Sequence, residues 1–308
     1  MHEELTTGRI TDPRRHLRGD TAAWSGLERD LRLVSAQAES RNEAASFASA
    51  QQTVLEEIRT VVTEAGTELL GAQSDSSGFA LSAMINKAGN QFPMVVNALN
   101  SSFGGRSLFS GAATQGAALA DSATMMADLT VATTGATTAA DVLLAVDTWF
   151  YTASGGFETS GYLGSTDVLA PVTIADNEAV TFDVSAEDAA LRHTVRNFAV
   201  AALMQDGLLS GNLTEAAALA TEIGQDLMGT AVGVVDLQAK VGNVEARIET
   251  AEARGSARKT ALTLALDKLV GADAYETVTE IQNAEAQLQT IYTLTARLSG
   301  MSLASVLR

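Results

Sequence analysis

The chain of 308 residues contains no cysteine. That excludes disulfides, thiol catalysis and thiolate metal sites, and it suits a protein that must travel unfolded and refold without pairing errors. Proline is nearly absent, at Pro13, Pro93 and Pro171, so long stretches are free of the strongest helix breaker. Aromatic residues make up only 5%, which fits interfaces where small side chains let helices approach closely. Positive charge is scarce: 20 Lys and Arg face 37 Asp and Glu, for a formal net charge of −17. The only basic run is Arg14, Arg15 and Arg18. A nucleic-acid binder needs a basic footprint to displace counterions, so neither nucleic acid nor an anionic membrane surface is an expected partner. No apolar run approaches the roughly 20 residues of a membrane span. The start Met1-His2-Glu3-Glu4 is acidic and lacks an apolar core, so no signal peptide is expected.

What is present is long helical pattern. Hydrophobic residues reach 46%, which argues against disorder, and the chain is long enough to bury a core. From Ala22 to Leu70 there is no proline, and Leu27, Leu31, Val34, Ala38, Ala45, Ala48, Leu55, Val62 and Leu69 fall near a 3.5-residue grid. Arg41, Gln52, Arg59 and Gly66 interrupt that grid. A shorter helix is expected over Ser82–Ala98, bent at Pro93, after a turn at Ser74–Gly78.

Between about 112 and 190 the chain changes to Gly, Thr and aromatic residues. Asp141–Tyr151 reads as a short helix. Pro171–Ile174 and Ala179–Val184 read as two strands around Ala175–Glu178. Helix resumes at Ala186–Gln205 and Thr214–Gly255, with Leu227, Val234, Leu237, Val241, Val244 and Ile248 apolar. Near the end Ile281, Ala284, Leu288, Ile291, Thr295 and Leu298 alternate in spacings of three and four, and Leu303, Val306 and Leu307 extend the stripe past Gly300.

The expected fold is therefore mainly α, an elongated antiparallel helical bundle or coiled coil formed by both chain ends, with a small β-rich inserted domain. Its expected segments are an N-terminal helical rod (1–111), a partly β insertion (112–190) and a C-terminal helical rod (191–308). Neither terminal stripe could bury itself alone.

Chemistry is thin. There is no G-x-S-x-G, no G-x-x-x-x-G-K-[ST] and no G-x-G-x-x-G. His2, His16 and His193 form no i, i+4 pair. Neighbouring carboxylates such as Glu56-Glu57 do not face one another on a helix. No catalytic residue, cofactor or metal is expected. The apolar C-terminal seam, Ile281, Leu288, Ile291, Leu298, Leu303 and Leu307, is the candidate interaction surface, docking as a helix in a groove.

Two stretches bear a family resemblance. Leu5-Thr6-Thr7-Gly8-Arg9-Ile10-Thr11-Asp12-Pro13 resembles the early L-S-S/T-G-x-R-I-N/T-x-P loop of the bacterial flagellin superfamily. Asn100-Ser101-Ser102-Phe103-Gly104-Gly105-Arg106-Ser107-Leu108-Phe109-Ser110-Gly111 is similar to the N…G-R-Y-L-F-S-G signature of its hook–filament junction branch, with Ser107 where Tyr is usual. Arg14-Arg15-His16-Leu17-Arg18 departs from the small and acidic residues expected after the proline. The resemblance covers both ends, and its signature positions are Leu5, Gly8, Arg9, Ile10, Pro13, Gly105, Arg106, Leu108, Phe109, Ser110 and Gly111.

It implies a non-enzymatic structural adaptor of the bacterial flagellum. Such a protein joins the hook side to the flagellin filament and is exported outside the cell by the flagellar type III route without a cleavable signal. Its implied partners are the other hook-associated junction protein, flagellin, an export chaperone, and further copies of itself in a ring. Family members carry a helix ahead of the Leu5–Pro13 segment, so the resemblance also implies that the inner partner of the C-terminal helix is missing from this chain. The alternatives are a flagellin filament subunit, a cytoplasmic coiled-coil scaffold, and an enzyme with its site in the middle segment.

Overall fold

The computed structural model describes the backbone of residues 8–19, 21–71 and 78–306, and the side chains within those spans except Ala274, Glu276 and residues 299–306. In chain order the helices are α1 (Pro13–His16), α2 (Ala22–Leu70), α3 (Phe79–Leu99), α4 (Ser122–Ala132), α5 (Ala139–Tyr151), α6 (Ala189–Gln205), α7 (Leu213–Val270) and α8 (Ala274–Val306). One π turn lies at Phe157–Gly161. Among the described residues there are only two small antiparallel hairpins, β1 (Ser102–Phe103) with β2 (Arg106–Ser107), and β3 (Val172–Ala175) with β4 (Glu178–Val180). The protein is thus mainly α with a small β part. The expected turn at Ser74–Gly78 lies, but for Gly78, outside the described residues.

The chain forms two compact units, Glu39–Glu252 and the paired ends Met1–Ala38 with Ala253–Arg308. Within the first unit the two terminal stripes meet. Leu55, Val62 and Leu69 of α2 share one buried core with Leu227, Val234, Val241 and Ile248 of α7. The cross-links run antiparallel: Arg41 bonds Glu252 (2.7 Å), Gln52 donates to the Gln238 carbonyl (2.8 Å), and Gly66 faces Gly224 and Met228.

The residues that break the heptad grid are the ones that make these links. A side chain at Gly66 would start 3.1 Å from the Met228 sulfur, and one at Gly224 would start 3.1 Å from the Gly66 carbonyl. The two glycines therefore let the helix backbones approach closely. Arg41, only 2% exposed, donates to the Ile174 carbonyl (2.8 Å) as well as to Glu252. That satisfies a buried guanidinium whose isolation would be costly. Arg59 alone turns outward, to Glu56 one turn back.

Helix α6 sits at the middle of this unit. Every residue from Thr194 to Met204 is buried, the mark of a helix enclosed on all sides. It packs chiefly against α3, where Gly89 admits the Ala201 carbonyl and the Gln205 side chain. Pro93 lies inside α3 rather than ending it.

The segment 112–190 differs from the expected β-rich insertion. It holds α4, α5 and the π turn, and only β3 and β4 are strands. Met125 and Leu129, like Val142, Val146 and Phe150, are buried at the i, i+4 spacing of a helix. The expected helix Asp141–Tyr151 is α5; the Thr- and Gly-rich surroundings of α4 masked its period. The buried residues of both helices belong to the same core as Leu55, Phe92, Phe198 and Leu227. The β3–β4 pair is held by helices on either side, through Ser40 to the Thr173 carbonyl (2.8 Å) and Arg247 to the Ala179 carbonyl (2.8 Å). The second expected strand stops at Val180, after which Phe182 meets the Phe47 ring edge-on at 4.9 Å. Helix α7 runs on past Gly255 to Val270.

Candidate functional site

The signature segment 100–111 folds into a tight corner on the core of the larger unit. Asn100 opens it by clasping the backbone of one residue: its Oδ1 accepts from Leu119 N (2.8 Å) and its Nδ2 donates to Leu119 O (3.0 Å). The two-residue turn of β1–β2 is Gly104-Gly105, both with positive φ (59° and 78°), as a hairpin of this length requires. Arg106 then reaches back over α2, bonding Glu43 (2.9 Å) and lying 5.4 Å from the Phe47 ring centre. Leu108, Phe109 and Ser110 are buried. Gln51 of α2 donates to the Leu108 carbonyl (2.7 Å), Ala186 N donates to the Phe109 carbonyl (2.8 Å), and the Ser110 hydroxyl donates to the Ala113 carbonyl (2.8 Å).

Gly111 closes the corner at φ 60°, where a Cβ would lie 2.3 Å from the Ser165 carbonyl and 2.7 Å from that of Asp167. Each signature residue therefore has a local structural task, and the buried ones are out of reach of any partner. The two kinds of glycine separate in a simple test. Gly104→Ala meets nothing within 4 Å and should cost only the left-handed backbone penalty of about 1–2 kcal/mol. Gly111→Ala adds a backbone collision and should cost clearly more. Urea midpoints compare the two directly, and equal losses would contradict the described corner.

The other signature segment lies in the unit of the chain ends. Gly8 has φ 67°, Arg9 bridges to Gly271, and Arg9 pairs with Asp267 at 3.4 Å. Asp12 caps the short α1 by accepting from Arg15 N (3.1 Å), with Pro13 in its first turn. Leu5 lies outside the described residues.

The C-terminal seam sits on α8. Ile281 and Ala284 are half-buried. Leu288, Ile291 and Leu298 are 54%, 58% and 59% exposed, with Tyr292 and Leu294 exposed beside them. Every residue from Glu285 to Leu298 is exposed. The side chain of Leu303, and Leu307 altogether, lie outside the described residues.

One polar cluster was not legible in the sequence. Arg196 of α6, buried, bonds Asp147 of α5 and Asp226 of α7, both at 2.8 Å, and ties three helices together. Beside it His193 Nδ1 meets the Tyr151 hydroxyl at 2.8 Å. Arg192 lies 4.4 Å from the Phe157 ring centre and donates to the Phe150 carbonyl. Burial pushes the Tyr151 hydroxyl up to about 12. It also lowers the His193 imidazole, helped by the Arg196 charge, so His193 is neutral near pH 7. A groove of about 410 Å³ opens here, lined by His193, Gln225, Asp226, Thr230 and the bare backbone at Gly229. Residues 49 and 30 positions from Arg196 carry no local signal of such pairing. No group of three or more His, Cys, Asp or Glu side chains suited to a metal occurs among the described residues, and no helix there is long and apolar enough to cross a membrane.

These features define a helical protein with a long antiparallel pair, a buried signature corner and an exposed apolar helix at its C-terminal end. Residues 226–307 match the family model of the bacterial flagellin C-terminal helical region. The fold is similar to that of a protein described as a flagellar hook-associated protein from Vibrio parahaemolyticus, with a TM-score of 0.55 and 16% identity over 84% of this chain and 98% of that one. It is also similar to that of Bacillus cereus FlgL, with a TM-score of 0.55 and 14% identity over 77% of this chain and 96% of that one. At these identities the two structures share a fold with this chain. No curated protein matches.

Proposed function

We infer that the protein is a non-enzymatic structural adaptor of the bacterial flagellum, joining the hook side to the flagellin filament. One observation carries this reading: the region that matches the flagellin C-terminal helices ends in a helix whose Leu288, Ile291, Leu294 and Leu298 are more than half exposed. An apolar seam of that kind gains most by docking on another chain. The resemblance of residues 100–111 to the junction signature, and the similarity to hook-associated folds, support the junction rather than the filament. In this reading the partners are the other hook-associated protein, flagellin, an export chaperone and further copies in a ring. The chain acts outside the cell after export by the flagellar type III route.

A flagellin subunit is the second reading, favoured by the same C-terminal match. Copy number separates the two, a few subunits per flagellum against thousands. Deleting the gene should leave cells with hooks that release flagellin into the medium and retain no filament. Cells that instead keep filaments, or that secrete no flagellin although their hooks are complete, would overturn the adaptor reading.

A further inference from the structure

We propose that residues 8–12 are a latch that holds the joint between α7 and α8 open, and that its release lets the two helices run together as one. Only Gly271, Ala272 and Asp273 separate the helices. The interruption is narrower still, because Gly271 N donates to Asp267 O (2.7 Å), already the i−4 bond of a helix. On the other side, Asp273 O accepts from Thr277 N (2.9 Å) and its side chain caps Tyr275 N (2.8 Å).

Two of the backbone groups diverted from the helical ladder are held by the N-terminal segment. Ala272 N donates to Gly8 O (3.0 Å), and Val270 O accepts from Ile10 N (3.0 Å). In an unbroken helix Ala272 N would bond the carbonyl of Lys268, and Val270 O would accept from residue 274. The latch therefore competes directly with fusion of the helices. Arg9 against Asp267 reinforces it, and the α1 cap at Asp12 and Pro13 fixes where the segment turns away.

Gly271 sets the balance from the other side. Glycine is a poor interior helix residue, and in the jointed form a Cβ there would lie 2.2 Å from the Asp267 carbonyl. Alanine at 271 thus disfavours the joint and favours the continuous helix at once. A two-state element of this kind is biased by small changes on either side. Its readout is the direction in which the apolar α8 points from the end of α7. The latch stands apart from the assembly role, and its failure would leave that role untouched.

The test uses the full chain with two single variants, Ile10→Pro, which removes the donor to Val270, and Gly271→Ala. Backbone 13C shifts of residues 271–273 report the joint. Spin labels at Lys259→Cys and Gln282→Cys report the distance, which the absence of native cysteine makes clean. Both variants should move the three residues to helical shifts and bring the label distance to about 35 Å, the rise of a 23-residue helix. An unchanged melting transition would show that the rest of the fold is intact. Non-helical or random-coil shifts at 271–273 in either variant would overturn the latch.

Discussion

Replacing Phe109 by Ala should lower the unfolding free energy by about 3–5 kcal/mol, the range for removing a buried phenylalanine. The side chain is fully buried and belongs to the core that joins α2, α3, α6 and α7. Its surroundings are poorly able to collapse into the space, because backbone bonds fix the corner on both sides: Gln51 to Leu108 O and Ala186 N to Phe109 O. Ser110 is closed over the Ala113 carbonyl and Gly111 is wedged against Ser165 and Asp167. The cavity should therefore stay open, and the cost should fall toward the upper end of the range. Denaturant unfolding followed by helical circular dichroism measures it. A loss below about 1 kcal/mol would show that the corner relaxes and is not a structural keystone. The result also bears on what the signature means: a buried Phe109 acts on assembly only by shaping the fold, whereas Arg106 and the Gly104-Gly105 turn lie at the surface.

The helices were legible because their signals are local and repeated. Ala22–Leu70 was readable to the residue, since the stripe runs over many turns with no proline. The interruptions at Arg41, Gln52 and Gly66 were visible as departures, but their meaning was not. It depends on Glu252, Gln238 and Gly224, far away in the chain and brought opposite only by the antiparallel pairing. In the middle segment α5 was legible as Asp141–Tyr151, but the short α4 carries too few turns for its period to stand out from a Thr- and Gly-rich background. Both helices are fixed by caps, Asp121 on Thr124 N and the Thr138–Asp141 box. The Thr138–Asp141 box is a sequence signal of the usual kind. The Arg196 cluster had no such signal, because three helices each contribute one charged residue to it. For the candidate surface, the apolar spacing of α8 was readable but its exposure was not. A stripe looks the same in sequence whether its mate is in the same chain or another.

Aspartate at Leu288 or Ile291 should leave the melting temperature nearly unchanged and strongly weaken docking of α8 on a partner. Both residues are more than half exposed, and their neighbours on the helix are exposed too, so a carboxylate there stays hydrated in the isolated chain. In an assembly the same position is covered. Burying a Leu or Ile contributes roughly 1.5–3 kcal/mol when complete, and about half of that is still available here. An aspartate forfeits this and must also be desolvated, which costs several kcal/mol per ion, or hold water in the seam. Either way the contact should weaken by at least about 100-fold per site, since 1.4 kcal/mol is tenfold. The two substitutions sit three residues apart on one face and share neighbours, so their effects should be less than additive. Binding to the purified export chaperone and retention of filament on hooks are the readouts, with thermal melting as the control. If either variant unfolds the isolated protein while assembly survives, α8 is part of the core and the interface lies elsewhere. If melting and assembly are both unaffected, the seam is a solvated face and the adaptor must bind through another surface. Leu264→Asp, on α7 and likewise exposed but off the seam, is the matched control and should spare both.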